Sequence, residues 1–308
     1  MRDAFLKSLT HLAKIDKDIV LLTADLGYGV FENFEKDFPG QFFNVGVAEQ
    51  NMTGLASGLA IEGKKVVTYS IGNFPTLRCL EQIRNDACYH ELNITIVASG
   101  GGFSYGSLGM SHHTTEDIAI MRSLPGTLVV APGTQKETED LTSALINHQG
   151  VSYLRLDKSF AKDMPHENII GKANQYSKGV DITLVTTGGI LKDVIEASEL
   201  LKQRNISCNV VSMHTIKPID SDILIHLSNN SKGIVTVEEH NLDAGLGSAV
   251  AEVLLDYGAI PKIFLRIGLD NKFSSIVGSQ DYLKEKYELD SISIARKVAE
   301  LFKKDEKR

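Results

Sequence analysis

Apolar positions along this chain recur with two alternating periods. Residues 3–15 carry Phe5, Leu6, Leu9, Leu12 and Ala13 at helical spacing. Ile19-Val20-Leu21-Leu22-Thr23-Ala24 follows as an unbroken apolar run, the mark of a strand covered on both faces. The succession repeats. Strands are expected at 41–47, 65–70, 94–98, 128–130 and 151–155. Helices are expected from Glu49 onward and over 77–89, 117–123 and 137–148, with Phe38-Pro39-Gly40, Gly63 and Leu124-Pro125-Gly126 as stops. Strands that alternate with helices of this length need crossovers between parallel neighbours, so the expected fold class is α/β, with two open, mainly parallel-sheet domains. The periodicity lapses between Ser159 and Gly179, where Pro165 stands in polar sequence, and this divides the chain into 1–160, a linker at 161–179, and a second unit over 180–308. In that unit, strands are expected at 181–187, 208–212, 233–238 and 262–267, and helices at 190–204, 221–227 and 248–257. The terminal Lys303-Lys304-Asp305-Glu306-Lys307-Arg308 reads as a frayed, solvated end.

Composition narrows the function classes. With 308 residues the chain is long enough for about two domains, and 43% hydrophobic content supplies their cores. A net charge of −7 and a pI near 5.7, with no Lys/Arg cluster, exclude a nucleic-acid surface. The three cysteines, Cys79, Cys88 and Cys208, have no CxxC spacing, so neither a disulfide framework nor a thiolate metal site is expected, and a reducing cytoplasm fits. The segment Met1-Arg2-Asp3-Ala4-Phe5-Leu6 lacks the apolar stretch of an export signal, and no run approaches the roughly 18 apolar residues of a membrane span.

One polar residue stands out against this pattern. Glu49 lies between the apolar approach Phe42-Phe43-Asn44-Val45-Gly46-Val47 and a helix whose Met52, Leu55, Ala56 and Leu59 recur at helical spacing. In the first helical turn the macrodipole favours a carboxylate, whereas an apolar surround raises its pKa. The local pattern alone favours a solvated first-turn glutamate, since first-turn acids are common.

Four blocks in order, NVGVAEQNMTGLASGLAIEG (44–63), FPTLRCLEQIRND (74–86), GMSHHTTEDIAIMRSLPG (109–126) and VVAPGTQKETEDL (129–141), resemble the pyrimidine-binding domain of thiamine-diphosphate enzymes of the transketolase family. The similarity is greatest to the C-terminal subunit of split transketolases and extends to the C-terminal half of 1-deoxy-xylulose-5-phosphate synthase. It makes 1–160 a pyrimidine-binding domain and 180–308 a transketolase C-terminal domain. The blocks VEEHN (237–241) and GLGSAVAE (245–252) resemble the latter, and no chemistry is assigned to them.

The resemblance assigns roles. Glu49 corresponds to the carboxyl group that hydrogen-bonds N1′ of the aminopyrimidine and promotes proton removal from thiazolium C2 by the 4′-nitrogen, work that needs a buried acid able to exchange its proton. Phe74 corresponds to the aromatic that stacks on the pyrimidine, with Tyr69 as the other candidate for that face, and Arg78 falls among the cofactor-binding positions. His112 corresponds to the histidine that contacts substrate oxygens and shuttles a proton; His113 is its neighbour. Arg155 and Arg2 correspond to arginines that grip the substrate phosphate, for which a bidentate guanidinium is suited.

Two positions depart from the family. Leu108 stands where transketolases have an aspartate, and Gly100 where they have a phosphate-binding histidine, which points to an acceptor other than a common pentose phosphate. No Gly-Asp-Gly, the start of the family's diphosphate and metal motif, occurs. The implied partner is therefore an N-terminal transketolase subunit that holds thiamine diphosphate through Mg²⁺ or Ca²⁺, in an α2β2 heterotetramer acting on a sugar or sugar phosphate. The alternatives are a beta subunit of a 2-oxo acid decarboxylase and a non-catalytic scaffold subunit.

Overall fold

The computed structural model describes residues 1–306. In chain order its strands are β1 (Ile19–Thr23), β2 (Phe42–Asn44), β3 (Lys65–Ile71), β4 (Ile94–Ser99), β5 (Leu128–Val130), β6 (Val151–Leu156), β7 (Asn174–Ser177), β8 (Ile182–Thr186), β9 (Cys208–Ser212), β10 (Thr215–Lys217), β11 (Gly233–Asn241) and β12 (Ile263–Leu269). They build a seven-stranded sheet in the order β10-β5-β6-β4-β3-β1-β2 and a five-stranded sheet in the order β12-β11-β8-β9-β7. The pairs within each are parallel except at two edges, where β10 runs antiparallel to β5 and β7 antiparallel to β9. This is the expected fold class. Central strands such as β1, β4, β6 and β8 are buried along their whole length, which is why β1 reads as an unbroken apolar run.

Alternation along the strands sorts side chains between two cores. On one face of the first sheet, Met52 and Ala56 of the Glu49–Ile61 helix pack with Val66, Ile94 and Ile96. On the other, Phe5 and Leu9 of the Arg2–Ile15 helix pack with Val67, Tyr69 and Val97. The carboxyl ends of the parallel strands therefore open between these two layers, where open α/β sheets place their ligands.

Several elements differ from expectation. The helix expected over 77–89 is a tight turn at Leu77–Cys79, a single α-turn at Leu80–Gln82 and a wider π-helical turn at Ile83–Cys88. In the wide turn the Tyr89 amide bonds back to Arg84 O, and both Ile83 and Ala87 reach the core. Part of the stretch expected as a linker is β7, whose inward residues Asn174 and Tyr176 are polar or amphipathic and so carry no apolar period. Asn174 is bonded to Glu137 and Asn168, and the Tyr176 hydroxyl to Glu137. Three-residue β10 leaves the second unit to edge the first sheet. After β12 come the helices Gln280–Lys286 and Ser291–Glu306, the latter packed on the Leu191–Lys202 helix. Lys303–Glu306 continue that last helix rather than fraying, and Lys307 and Arg308 lie outside the described residues. Among the described residues no helix is long and apolar enough to cross a membrane.

Candidate active site

Two strand ends and a helix start converge at the open edge of the first sheet. Glu49 is the first residue of its helix, with Ala48, which offers no side-chain cap, before it. Its side chain is 3% exposed, and Oε2 accepts a bond from Arg78 Nη1 at 2.8 Å. Oε1 has no partner among the described residues. Burial of a carboxylate is tolerable because a guanidinium meets it. Gln50, the next residue of the helix, donates from Nε2 to Arg78 O at 3.1 Å and ties the arginine's backbone to the same helix end.

The Arg78 guanidinium carbon lies 4.6 Å from the centroid of the Phe74 ring, and that ring meets His112 edge-on at 5.3 Å and 70°. Glu49, Arg78, Phe74 and His112 thus form one continuous row, assembled from the helix after β2, the loop after β3 and the loop after β4. The row offers a buried acid with one free oxygen beside an aromatic ring and an imidazole. Arg78 covers one face of Phe74, so a planar ligand stacks on the other face or displaces the guanidinium.

The His112 imidazole has its pKa lowered, first by burial and then by neighbouring His113. Its Nδ1 lies 3.0 Å from Ser111 Oγ. At neutral pH the ring is therefore uncharged and able to take up a proton. The folded state binds that proton less readily than the unfolded chain, so this group's contribution to stability is lost as pH falls below the ordinary value of 6.5. An imidazole NMR titration of the full chain should give His112 a midpoint below 6.5, with most of the depression kept in His113→Asn because burial is the larger cause. A midpoint at or above 6.5 would contradict this environment.

Asn73 is a member that sequence reasoning missed. Its Nδ2 donates to His113 O at 2.7 Å and reaches Ser111 O at 3.4 Å, stitching the loop after β3 to the histidine loop. The one signal available was its place directly before Phe74 at a strand end.

Four expected site residues stand outside this row. Tyr69 is 4% exposed, stacked 6.0 Å from Phe5 and edge-on to Phe31 at 4.8 Å, and burial pushes its hydroxyl up to about 12. Its strand parity turns it to the face opposite the Glu49 helix, whereas Phe74 lies within the row. His113 is 3% exposed and points into its own loop, with Nε2 3.1 Å from Gly106 O and its ring edge-on to Phe103 at 5.1 Å. It lines a cavity of about 60 Å³ together with Asn73, Met110 and Phe273, instead of facing outward beside His112.

Arg155 is 1% exposed and locked inside: Nη2 donates to Glu239 O at 2.9 Å and Thr114 O at 3.3 Å, while Nε lies 3.4 Å from Asp117 and 3.5 Å from Asp157. Burial alone would lower its pKa, but Asp117 and Asp157 outweigh it and the net shift is upward. These protein contacts engage Nη2 and Nε, and no contact joins Arg155 to the Glu49–His112 row among the described residues. Arg2 stands half exposed at the start of the first helix with Nε 3.2 Å from Asp3, and no contact joins it to the Glu49–His112 row among the described residues.

Residues 1–162 match the family model of the transketolase pyrimidine-binding domain, and 171–294 that of the transketolase C-terminal domain. A "Putative transketolase C-terminal section" of Methanocaldococcus jannaschii is 39% identical over 312 residues, covering 99% of this chain and 97% of that one. An apulose-4-phosphate transketolase subunit of Phocaeicola vulgatus is 33% identical over 309 residues, covering 98% of this chain and 97% of its own. A solved "Split gene transketolase, inactive beta4 tetramer" superposes with a TM-score of 0.89 at 34% identity, covering 98% of both chains.

Proposed function

Because the chain belongs to the transketolase family, we propose that it is the pyrimidine-holding subunit of a two-chain, thiamine-diphosphate-dependent enzyme that moves a two-carbon ketol unit between sugar phosphates. The observation that carries this reading is the Glu49–Arg78–Phe74–His112 row, in which a buried carboxyl with one unpartnered oxygen stands beside an aromatic ring and a neutral imidazole. Thiamine diphosphate, when bound, supplies the nucleophile and the electron sink for breaking and making the sugar's carbon–carbon bond. Glu49 Oε1 holds the proton at N1′ of the pyrimidine, and Arg78 fixes the carboxyl's orientation through Oε2. Phe74 packs the ring on the face that Arg78 leaves open. His112 accepts and returns a proton at the sugar oxygens.

The partner we propose is an N-terminal transketolase subunit that brings the diphosphate and divalent-metal ligands, Mg²⁺ or Ca²⁺, in an α2β2 assembly. Support comes from the surface around Glu49. Val47 is 75% exposed, Leu55 and Ile61 are exposed on the same helix, and Gly54 and Gly58 present bare backbone with nothing within 4 Å of where a Cβ would stand. A helix apolar on both sides needs a second covering surface. The solved relative named as an inactive tetramer of beta chains agrees with a beta chain that is inactive without its partner. For the acceptor, exposed Leu108 favours a sugar lacking a hydroxyl at that point, and the apulose-4-phosphate relative acts, by its name, on an unusual sugar phosphate.

Calorimetry with thiamine diphosphate and Mg²⁺ tests the division of labour. The chain alone should neither bind the cofactor at micromolar affinity, about −8 kcal/mol, nor turn over any sugar phosphate in a panel, while the reconstituted pair does both. Micromolar binding by the lone chain would show that the diphosphate site is not the partner's.

A further inference from the structure

We propose that the second domain holds the histidine loop in register through Arg155, Glu239 and Asn241, which are positioning residues for the reaction proposed above. The catalytic consequence rests on that reading; the structural one stands on contacts alone. The loop leaves β4 at Gly100 and returns at Asp117, with only two short turns, Gly106–Leu108 and Met110–His112, inside it. The His112 side chain hydrogen-bonds only adjacent Ser111, and its amide bonds Gly109 O within the same loop, so its place depends on the loop's two legs, on Asn73 and on the Phe74 ring.

Both legs end on the same few residues of β11. Gly102 and Thr114 pair with each other, N to O at 2.8 and 2.9 Å, and Arg155 Nη2 joins Thr114 O to Glu239 O. On the outgoing leg the Phe103 amide donates to Glu239 Oε1 at 2.5 Å, and Gln280 Nε2 lies 3.1 Å from both oxygens of that carboxylate. On the returning leg Thr115 O accepts from the Asn241 amide at 2.9 Å, and Asn241 Nδ2 donates to Glu116 Oε1 at 3.1 Å. Arg155 and Glu239 are buried, so the bonds of Arg155 to Thr114 O and Glu239 O and of Glu239 to the Phe103 amide are made away from competing water.

The approach is so close that it dictates the loop's composition. A Cβ on Gly101 would stand 2.0 Å from Arg155 Nε, and one on Gly102 2.4 Å from Glu239 Oε1. Gly102 also has φ +57°, which favours glycine. Ser99-Gly100-Gly101-Gly102 therefore serves to let the loop close onto the second domain. A catalytic imidazole has to be held within about 0.5 Å of its working position, and the short-range turns inside this loop do not by themselves fix it against the sheet. Here a second domain to which no chemistry was assigned supplies the missing restraint.

Hydrogen exchange on the full-length chain tests the clasp without any turnover. Glu239→Ala should raise exchange of the amides at 102–115 by about 10- to 100-fold, while the central strands at 19–23 and 182–186 stay protected. Glu239→Gln, whose amide oxygen still accepts from Phe103, should restore protection. Asn241→Ala removes only the side-chain bond to Glu116, so its increase should be smaller and confined to 114–116; this variant serves if Glu239→Ala does not fold. Unchanged loop exchange in the alanine variants would overturn the clasp, as would protection lost equally throughout the chain. In the reconstituted enzyme the same variant should lower kcat with cofactor affinity unaltered, and Glu239→Gln should recover it. If the unsubstituted pair shows no turnover, the transferase reading has failed and the exchange measurements still decide the clasp.

Discussion

Glu49→Gln is expected to slow deuterium exchange at C2 of the bound cofactor by at least about 10²-fold, the usual worth of a positioned acid or base, while the reconstituted pair still binds thiamine diphosphate. The amide is nearly isosteric and can still hydrogen-bond N1′, but it cannot exchange a proton with it. The substitution also removes the charge that Arg78 meets at 2.8 Å. That loss is tolerable on the arginine's side, because its side chain is 47% exposed and can turn to water. Binding should therefore survive while proton movement does not, and the separation of the two is the signature of the role. Exchange at the unsubstituted rate in the variant would remove Glu49 from the mechanism, whatever happened to turnover.

How far the sequence reaches depends on how far apart the partners lie. The buried strands were legible because parallel strands covered on both faces are largely apolar, and Glu49 was picked out through the motif that resembles the family, since a first-turn acid alone is ordinary. Phe74 and His112 were found through neighbouring motif residues, and the structure brings their rings to 5.3 Å. The Arg78–Glu49 pair joins residues 29 positions apart across two loops, which no local pattern encodes. Tyr69 was recoverable in principle: it shares strand parity with Val67, and both face the Arg2–Ile15 helix. β7 and β10 were invisible because one buries polar side chains bonded to distant residues and the other is three residues long. The burial of Arg155 was not legible for a related reason. It sits in the strand expected at 151–155, and the acids that surround it come from a different helix, the strand's own end and the second domain, which no local pattern encodes.

That burial makes Arg155 the site of the largest stability effect expected. Arg155→Met keeps much of the volume but removes the cation between Asp117 and Asp157, each almost wholly buried. Each acid keeps one strong bond, Asp117 Oδ2 from the Tyr153 hydroxyl at 2.5 Å and Asp157 Oδ2 from the Gly189 amide at 2.6 Å. Neither bond supplies a counter-charge. Thr114 O and Glu239 O lose their shared donor in the same step. Breaking a buried ion pair from one side typically costs about 3–5 kcal/mol, and the midpoint of denaturant unfolding should fall accordingly. Adding Asp157→Asn removes one stranded charge and should recover part of the loss, a coupling of about 1–3 kcal/mol. An arginine that gripped substrate phosphate would behave otherwise: its loss would raise KM for phosphorylated sugars and leave the unfolding midpoint in place. If Arg155→Met unfolds at the same denaturant concentration as the unsubstituted chain, the ion pairs with Asp117 and Asp157 are not what holds this junction together.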